Sequence, residues 1–186
     1  GANIGTVTVS MASACTDWGR VLAFEAQERI FYALAGNLAL NNCLNARAEW
    51  SAVGATDGVL EVPTLDYTRP ASFGSLEIRR RSNTEDIGQP IDYERTHSVR
   101  LVRLDSLNLP RLDLLKVDVE GMEFDVLAGA DETIRERHPV MLIEHIKVDG
   151  NQLLEVLRGW GYEAMPAGVN VLAVHTTDPV LGELRS

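Results

Sequence analysis

The sequence predicts an α/β fold, a mainly parallel sheet covered by helices and finished by a C-terminal antiparallel hairpin. Three observations predict it. Short apolar runs alternate with amphipathic ones, the strand–helix rhythm of a parallel sheet. Two of the apolar runs, "LDLLKVDV" and "PVMLIEH", close on acids, Asp118 and Glu144, at the strand ends where open sheets bind ligands. The last apolar run, "YEAMPAGVNVLAVH", is two short strands around Pro166 and Gly168, with no helix between them.

The elements follow in order. "GANIG" reads as a tight turn into a helix, flanked by Gly1 and Gly5. "RVLAFE", Arg20 to Glu25, is a short buried strand. Ile30, Phe31, Leu34 and Leu38 have the spacing of one helix face. "ARAEWSAVG", Ala46 to Gly54, is the next strand and its exit. Asp57-Gly58 is a turn signal before "VLEVP" and predicts a local hairpin. The polar interval Thr64 to Ser98, with Arg79, Arg80 and Arg81 in a row, is either a flexible insertion or a lid. "SVRLVRL" alternates and predicts an edge strand or an approach to the sheet, and "LDLLKVDV" predicts a central strand. Met122, Val126, Ala130 and Ile134 recur every four positions, so a helix follows Gly121. "PVMLIEH" is another buried strand. Leu153, Leu154, Leu157 and Trp160 mark a helix that stops at Gly161.

The 186 residues suit one domain, and 45% hydrophobic residues can fill its core. A net charge of -10 argues against nucleic-acid or anionic-membrane partners. The two cysteines, Cys15 and Cys43, make neither a disulfide framework nor a zinc pattern, and read as reduced thiols of a cytoplasmic protein. No stretch is long and apolar enough to span a bilayer. Nothing in the sequence sets an oligomeric state.

Glu25 ends the strand after the glycine turn, and 25 − 5 = 20 residues separate it from Gly5. An acid at that distance can accept hydrogen bonds from both hydroxyls of a ribose. The bland alternative is a solvated strand-end acid. The candidate cofactor contacts are Gly1, Ala2, Asn3 and Gly5 in the turn, Glu25 and Ala26 at the strand tip, and Ala52 and Val53 beside the adenine. Dinucleotide enzymes and S-adenosylmethionine enzymes both use this plan. GxxxG in place of GxGxxG, and a terminal hairpin in place of another strand–helix unit, favour the second.

"GANIG", "AFE", "SFGSLE", "RLDSL", "LLKVDVEGMEFDVLAGA" and "PVMLIEH", in this order, resemble the FkbM-type S-adenosylmethionine-dependent methyltransferases. The resemblance covers nearly the whole chain. It implies a class I methyltransferase fold, a Rossmann-like three-layer sandwich, over residues 1–186, with residues 64–98 as the insertion or lid. It also implies S-adenosylmethionine as cofactor, and O-methylation of a small-molecule hydroxyl acceptor, such as a sugar. In this family a strand precedes the glycine turn, so an upstream strand beside "RVLAFE" is expected. A nicotinamide-dependent oxidoreductase and a noncatalytic domain that retained the fold are the competing readings.

Methyl transfer to oxygen needs the acceptor aligned and its proton removed. Asp118, Glu120 and Glu144 are the candidate catalytic residues, the first two favoured by the resemblance. Glu123 and Asp125 read as first-turn acids stabilised by a helix dipole. Lys116 shares a strand face with Asp118 and is placed to neutralise it. Asp118, Glu144 and His145 are candidate ligands of a divalent metal, placed as in metal-dependent O-methyltransferases of the catechol type. The FkbM resemblance does not itself imply a metal.

Overall fold

The structure is a computed structural model, and it describes residues 1–184. Its chain forms two compact units, one of Gly1–Ala52 with Gly58–Leu101, the other of Val53–Asp57 with Val102–Ser186. Both are α/β. Among the described residues no helix is long and apolar enough to cross a membrane.

In the first unit the glycine turn leads into α1 (Thr6–Ala14), followed by β1 (Val21–Glu25), α2 (Glu28–Leu40) and β2 (Ala46–Trp50). β1 and β2 are parallel, in the register Val21↔Ala46 to Glu25↔Trp50. The face predicted for α2 is its buried one. Leu34 and Leu38 pack with Ala12, Ala23 and Cys43.

The strand expected from Ala46 is β2, and its exit begins at Ser51. The Ser51 N–H points to the carbonyls of Glu25 and Glu49, 3.2 and 3.0 Å away. The chain resumes as β3 (Ala52–Val53), in a three-stranded sheet of order β3-β5-β4, with β4 (Gly58–Pro63) and β5 (Thr96–Val102). The local hairpin expected at Asp57-Gly58 does not form. β4 pairs antiparallel with the distant β5, from Gly58↔Leu101 to Pro63↔Thr96. That register buries Val62 and Val99 together with Leu65, Leu76 and Ile87 from the intervening segment. The polar interval thus carries its own apolar anchors and one turn of 3₁₀-helix at Phe73–Ser75. The Asp57 carboxylate is used elsewhere, accepting from the Arg103 N–H at 2.9 Å and from the Ser106 hydroxyl.

The second unit continues with β6 (Leu114–Val117), α3 (Glu123–Ala128), α4 (Asp131–Arg137), β7 (Val140–Glu144), α5 (Gly150–Gly159), β8 (Tyr162–Ala167), β9 (Asn170–His175) and α6 (Val180–Leu184). The sheet order is β6-β7-β9-β8. β6 and β7 are parallel and the other pairs antiparallel. β6, expected to be central, lies at the end of this sheet, and β7 is its partner among the described pairings. The C-terminal hairpin forms as predicted.

The one helix expected after Gly121 is two. It breaks at Gly129, where an added Cβ would lie 2.0 Å from the Gly54 carbonyl oxygen. The second helix gains a cap from a distant acid. Asp105, in "RLDSL", accepts from the Thr133 N–H at 2.9 Å and from its hydroxyl at 2.8 Å. The core beneath the sheet joins Val117, Met141, Ile143, Leu153, Leu157 and Ala173.

Candidate functional site

The residues predicted to bind a cofactor lie mostly in the first unit. The "GANIG" turn docks on the end of β1 through the Ala2 N–H, which donates to the Phe24 carbonyl at 2.9 Å. Asn3 and Gly5 take left-handed φ values of 50° and 91°. A Cβ on Gly5 would lie 2.7 Å from Leu34 Cδ1, so this position needs glycine twice over.

Glu25 is 6% exposed, which excludes the solvated strand-end reading. Its two carboxylate oxygens accept from the N–H groups of Asn3 and Gln27, each at 2.9 Å. The acid therefore pins the glycine turn to the strand tip. Each oxygen keeps a lone pair for a further donor.

Residues missed by the sequence reading sit next to it. Gln27 donates to the Phe73 carbonyl at 2.8 Å and accepts from the Tyr67 hydroxyl at 3.1 Å. A Cβ on Gly74 would lie 2.4 Å from Asn3 Nδ2. So "SFGSLE" packs against the glycine turn, a contact that no local pattern reveals. The Tyr67 phenol is pushed up to about 12, by burial first and then by the charge of Glu25. Trp50 Nε1 donates to the Ala26 carbonyl at 3.1 Å, closing the other side of the strand tip. Gly1 is exposed, Ala26 half-buried and Ala52 buried. Val53 belongs to the second unit and packs on its core.

The predicted catalytic residues lie together in the second unit. β6 and β7 are parallel neighbours with Val117 opposite Ile143. The residues just beyond, Asp118 and Glu144, therefore emerge side by side. Glu120 joins them. One carboxylate oxygen from each of the three lies within 4.8 Å of the others, and all three side chains are partly buried.

Their surroundings differ. Lys116 Nζ is 2.5 Å from Asp118 Oδ2, as its place on the strand face predicts. Lys147 Nζ is 2.6 Å from Glu120 Oε2. Among the described residues, no side chain pairs with Glu144. Its carboxyl is pushed up to about 7, by burial first and then by the charges of Asp118, Glu120 and Glu123, against the opposing charge of Lys116.

His145, a candidate metal ligand, is not in the convergent set; its backbone N–H continues the sheet toward the Val169 carbonyl at 3.2 Å. Asp118, Glu120 and Glu144 are hard oxygen donors, but lysines already neutralise two of them, which weakens the hold on a divalent cation.

The turn carrying these acids is unusual. Glu120 and Gly121 both have positive φ, 54° and 96°. Glu123, read from sequence as a dipole-stabilised acid, is only 1% exposed. Its Oε1 accepts from the N–H groups of Val119 and Gly121, each at 3.1 Å. Beside Glu144 the surface turns apolar, with Ile146 61% and Val169 52% exposed.

Comparison with known proteins agrees with this architecture. The Methyltransferase FkbM domain family matches residues 1–164. "Methyltransferase 1" of Beauveria bassiana is 32% identical over 144 residues, spanning 71% of this chain and 57% of that protein. "Methyltransferase sdnD" of Sordaria araneosa is 31% identical over 153 residues, spanning 71% of this chain and 59% of that protein. The AMB antimetabolite synthetase AmbE of Pseudomonas aeruginosa is 29% identical over an alignment of 199 positions that covers 88% of this chain and 9% of that protein. The chain thus spans less than three fifths of the length of these relatives. The crystal structure of Methyltransferase FkbM from Methylobacillus flagellatus KT superposes with a TM-score of 0.63 at 16% identity, covering 94% of this chain and 42% of that one. The fold is therefore Rossmann-like and of the methyltransferase type, with mixed sheets. By its motifs and its match over residues 1–164, the chain belongs to the FkbM methyltransferase family.

Proposed function

We propose that the protein is an S-adenosylmethionine-dependent O-methyltransferase in which Glu144 takes the proton from a hydroxyl of a small-molecule acceptor, such as a sugar. The observation that carries this reading is the Glu144 carboxylate, unpaired among the described residues and grouped with two acids that lysines already hold.

The first unit offers the cofactor elements. The backbone of the Ala2–Gly5 turn suits close approach, because Asn3 and Gly5 are both left-handed and their amides stay in a tight turn. The Glu25 lone pairs left over from Asn3 and Gln27 suit ribose hydroxyls. Bound there, S-adenosylmethionine supplies a methyl group on a positively charged sulfur.

In the second unit the chain handles the acceptor. An acid pushed up to about 7 is matched to taking a proton near neutral pH. Asp118 and Glu120, held by Lys116 and Lys147, accept hydrogen bonds from neighbouring hydroxyls and so orient the reactive one. Ile146 and Val169 provide an apolar flank for the acceptor's carbon skeleton.

The test is incubation with methyl-labelled S-adenosylmethionine and a panel of hexoses, polyols and phenols. Label in a methyl ether supports the reading. Tight binding of NAD in calorimetry, with no binding of S-adenosylmethionine or S-adenosylhomocysteine, overturns it.

A further inference from the structure

Glu123 is the most deeply buried carboxylate next to the Asp118–Glu144 group, and the proton transfer described above does not use it. Its side chain is 1% exposed. It reaches back over the turn that it follows, and Oε1 takes the N–H groups of Val119 and Gly121. Those two amides bracket Glu120, which holds a left-handed φ of 54°. A non-glycine residue there is unfavourable unless its surroundings impose it. Gly121, at 96°, adds a second left-handed step. Two consecutive residues of this kind place Asp118 and Glu120 near one point, and the amides on either side of Glu120 are held by the same oxygen.

The arrangement has a cost. Among the described residues, Oε2 of Glu123 is buried with no hydrogen-bond partner. Leaving a buried acceptor unsatisfied is unfavourable. A neutral apolar residue would fit this helix start without that cost, and would leave the Val119 and Gly121 amides without their acceptor.

We infer that Glu123 is a positioning residue, whose carboxylate clamps the Val119–Gly121 turn and so sets Asp118 and Glu120 against Glu144. The inference rests on reading Asp118, Glu120 and Glu144 as the acceptor site. The clamp itself is measurable without any acceptor. Glu123 also acts on Glu144 through its charge, one of those that push the Glu144 carboxyl up. A glutamine at this position keeps an acceptor oxygen and loses the charge, so it separates the two effects.

The experiment compares wild type, Glu123→Gln and Glu123→Ala as purified proteins. Amide hydrogen exchange is read at Val119 and Gly121 by NMR. Glu123→Gln, which keeps an acceptor oxygen, should keep the protection of both amides. Glu123→Ala should lose roughly tenfold or more of that protection, the consequence of removing a hydrogen bond to a charged acceptor. Protection unchanged in Glu123→Ala overturns the clamp. If Glu123→Ala does not fold, Glu123→Met, which fills the site without offering an acceptor, takes its place: lost protection supports the inference, and unchanged protection overturns it. Absence of methyl transfer in the labelled panel bears on the proposed reaction and leaves these readouts standing.

Discussion

Replacing Glu144 by glutamine should flatten the pH dependence of stability between about pH 4.5 and 7. In the folded protein this carboxyl is pushed up from 4.5 to about 7. Across that window the folded state holds a proton that the unfolded chain has released. Stability therefore falls as pH rises from about 4.5 to 7, and levels off above. Two and a half units at 1.36 kcal/mol each set an upper limit of about 3.4 kcal/mol. Glu144 is only partly buried, so solvent screening reduces this to about 1–2 kcal/mol. The Glu144→Gln protein stays neutral at every pH and loses this slope. The assay is urea unfolding of both proteins at half-unit steps from pH 4.5 to 8, with the difference in unfolding free energy plotted against pH. A difference that grows in favour of the variant up to about pH 7 agrees with the reasoning. Parallel curves would refute it, because Glu144 would then titrate alike in both states.

Four other outcomes follow from the same geometry. Glu25→Ala should weaken S-adenosylmethionine binding in calorimetry by roughly 1.5–3 kcal/mol, the range for hydrogen bonds to a charged group; unchanged affinity removes Glu25 from the ribose role. Gly129→Ala should lower stability by about 1–3 kcal/mol in urea unfolding, since the new methyl collides with the Gly54 carbonyl; a wild-type midpoint contradicts the close approach. Lys116→Met removes the positive charge that opposes the rise at Glu144, so the Glu144 carbon-shift titration should move to higher pH; a midpoint that stays or falls contradicts the electrostatics. Exhaustive chelation should leave any methyl transfer found with the acceptor panel intact, and loss restored by magnesium, manganese or zinc would make the carboxylates metal ligands.

What the sequence reveals here is local. β1, α2, β7 and the terminal hairpin are legible because their burial follows a period of two or 3.6 along one segment. The convergence of Asp118 and Glu144 is legible as well, because acids at the ends of neighbouring parallel strands must come together. What escapes is decided by partners far away in the chain. The helix after Gly121 breaks because Gly129 meets Gly54, some 75 residues earlier. β4 passes over its nearest neighbours to pair with β5, because Val62 and Val99 share a core with Leu65, Leu76 and Ile87. Glu123 sits where first-turn acids are ordinary, and only its burial and its two amide bonds separate it from them. The contact of "SFGSLE" with the glycine turn leaves a faint signal, Gly74, whose need for a missing Cβ depends on Asn3.

Passage of the acceptor hydroxyl's proton to Glu144, as proposed, leaves a kinetic signature. It is tested most directly by the pH profile of methyl transfer from labelled S-adenosylmethionine to the best acceptor of the panel, for wild type and Glu144→Gln. The wild-type rate should rise with pH to a plateau, with its midpoint near 7. In Glu144→Gln the rate should fall by roughly 10²- to 10⁴-fold, the usual contribution of a positioned base, and that limb should vanish. A variant that transfers methyl at the wild-type rate, with the same limb, would contradict it.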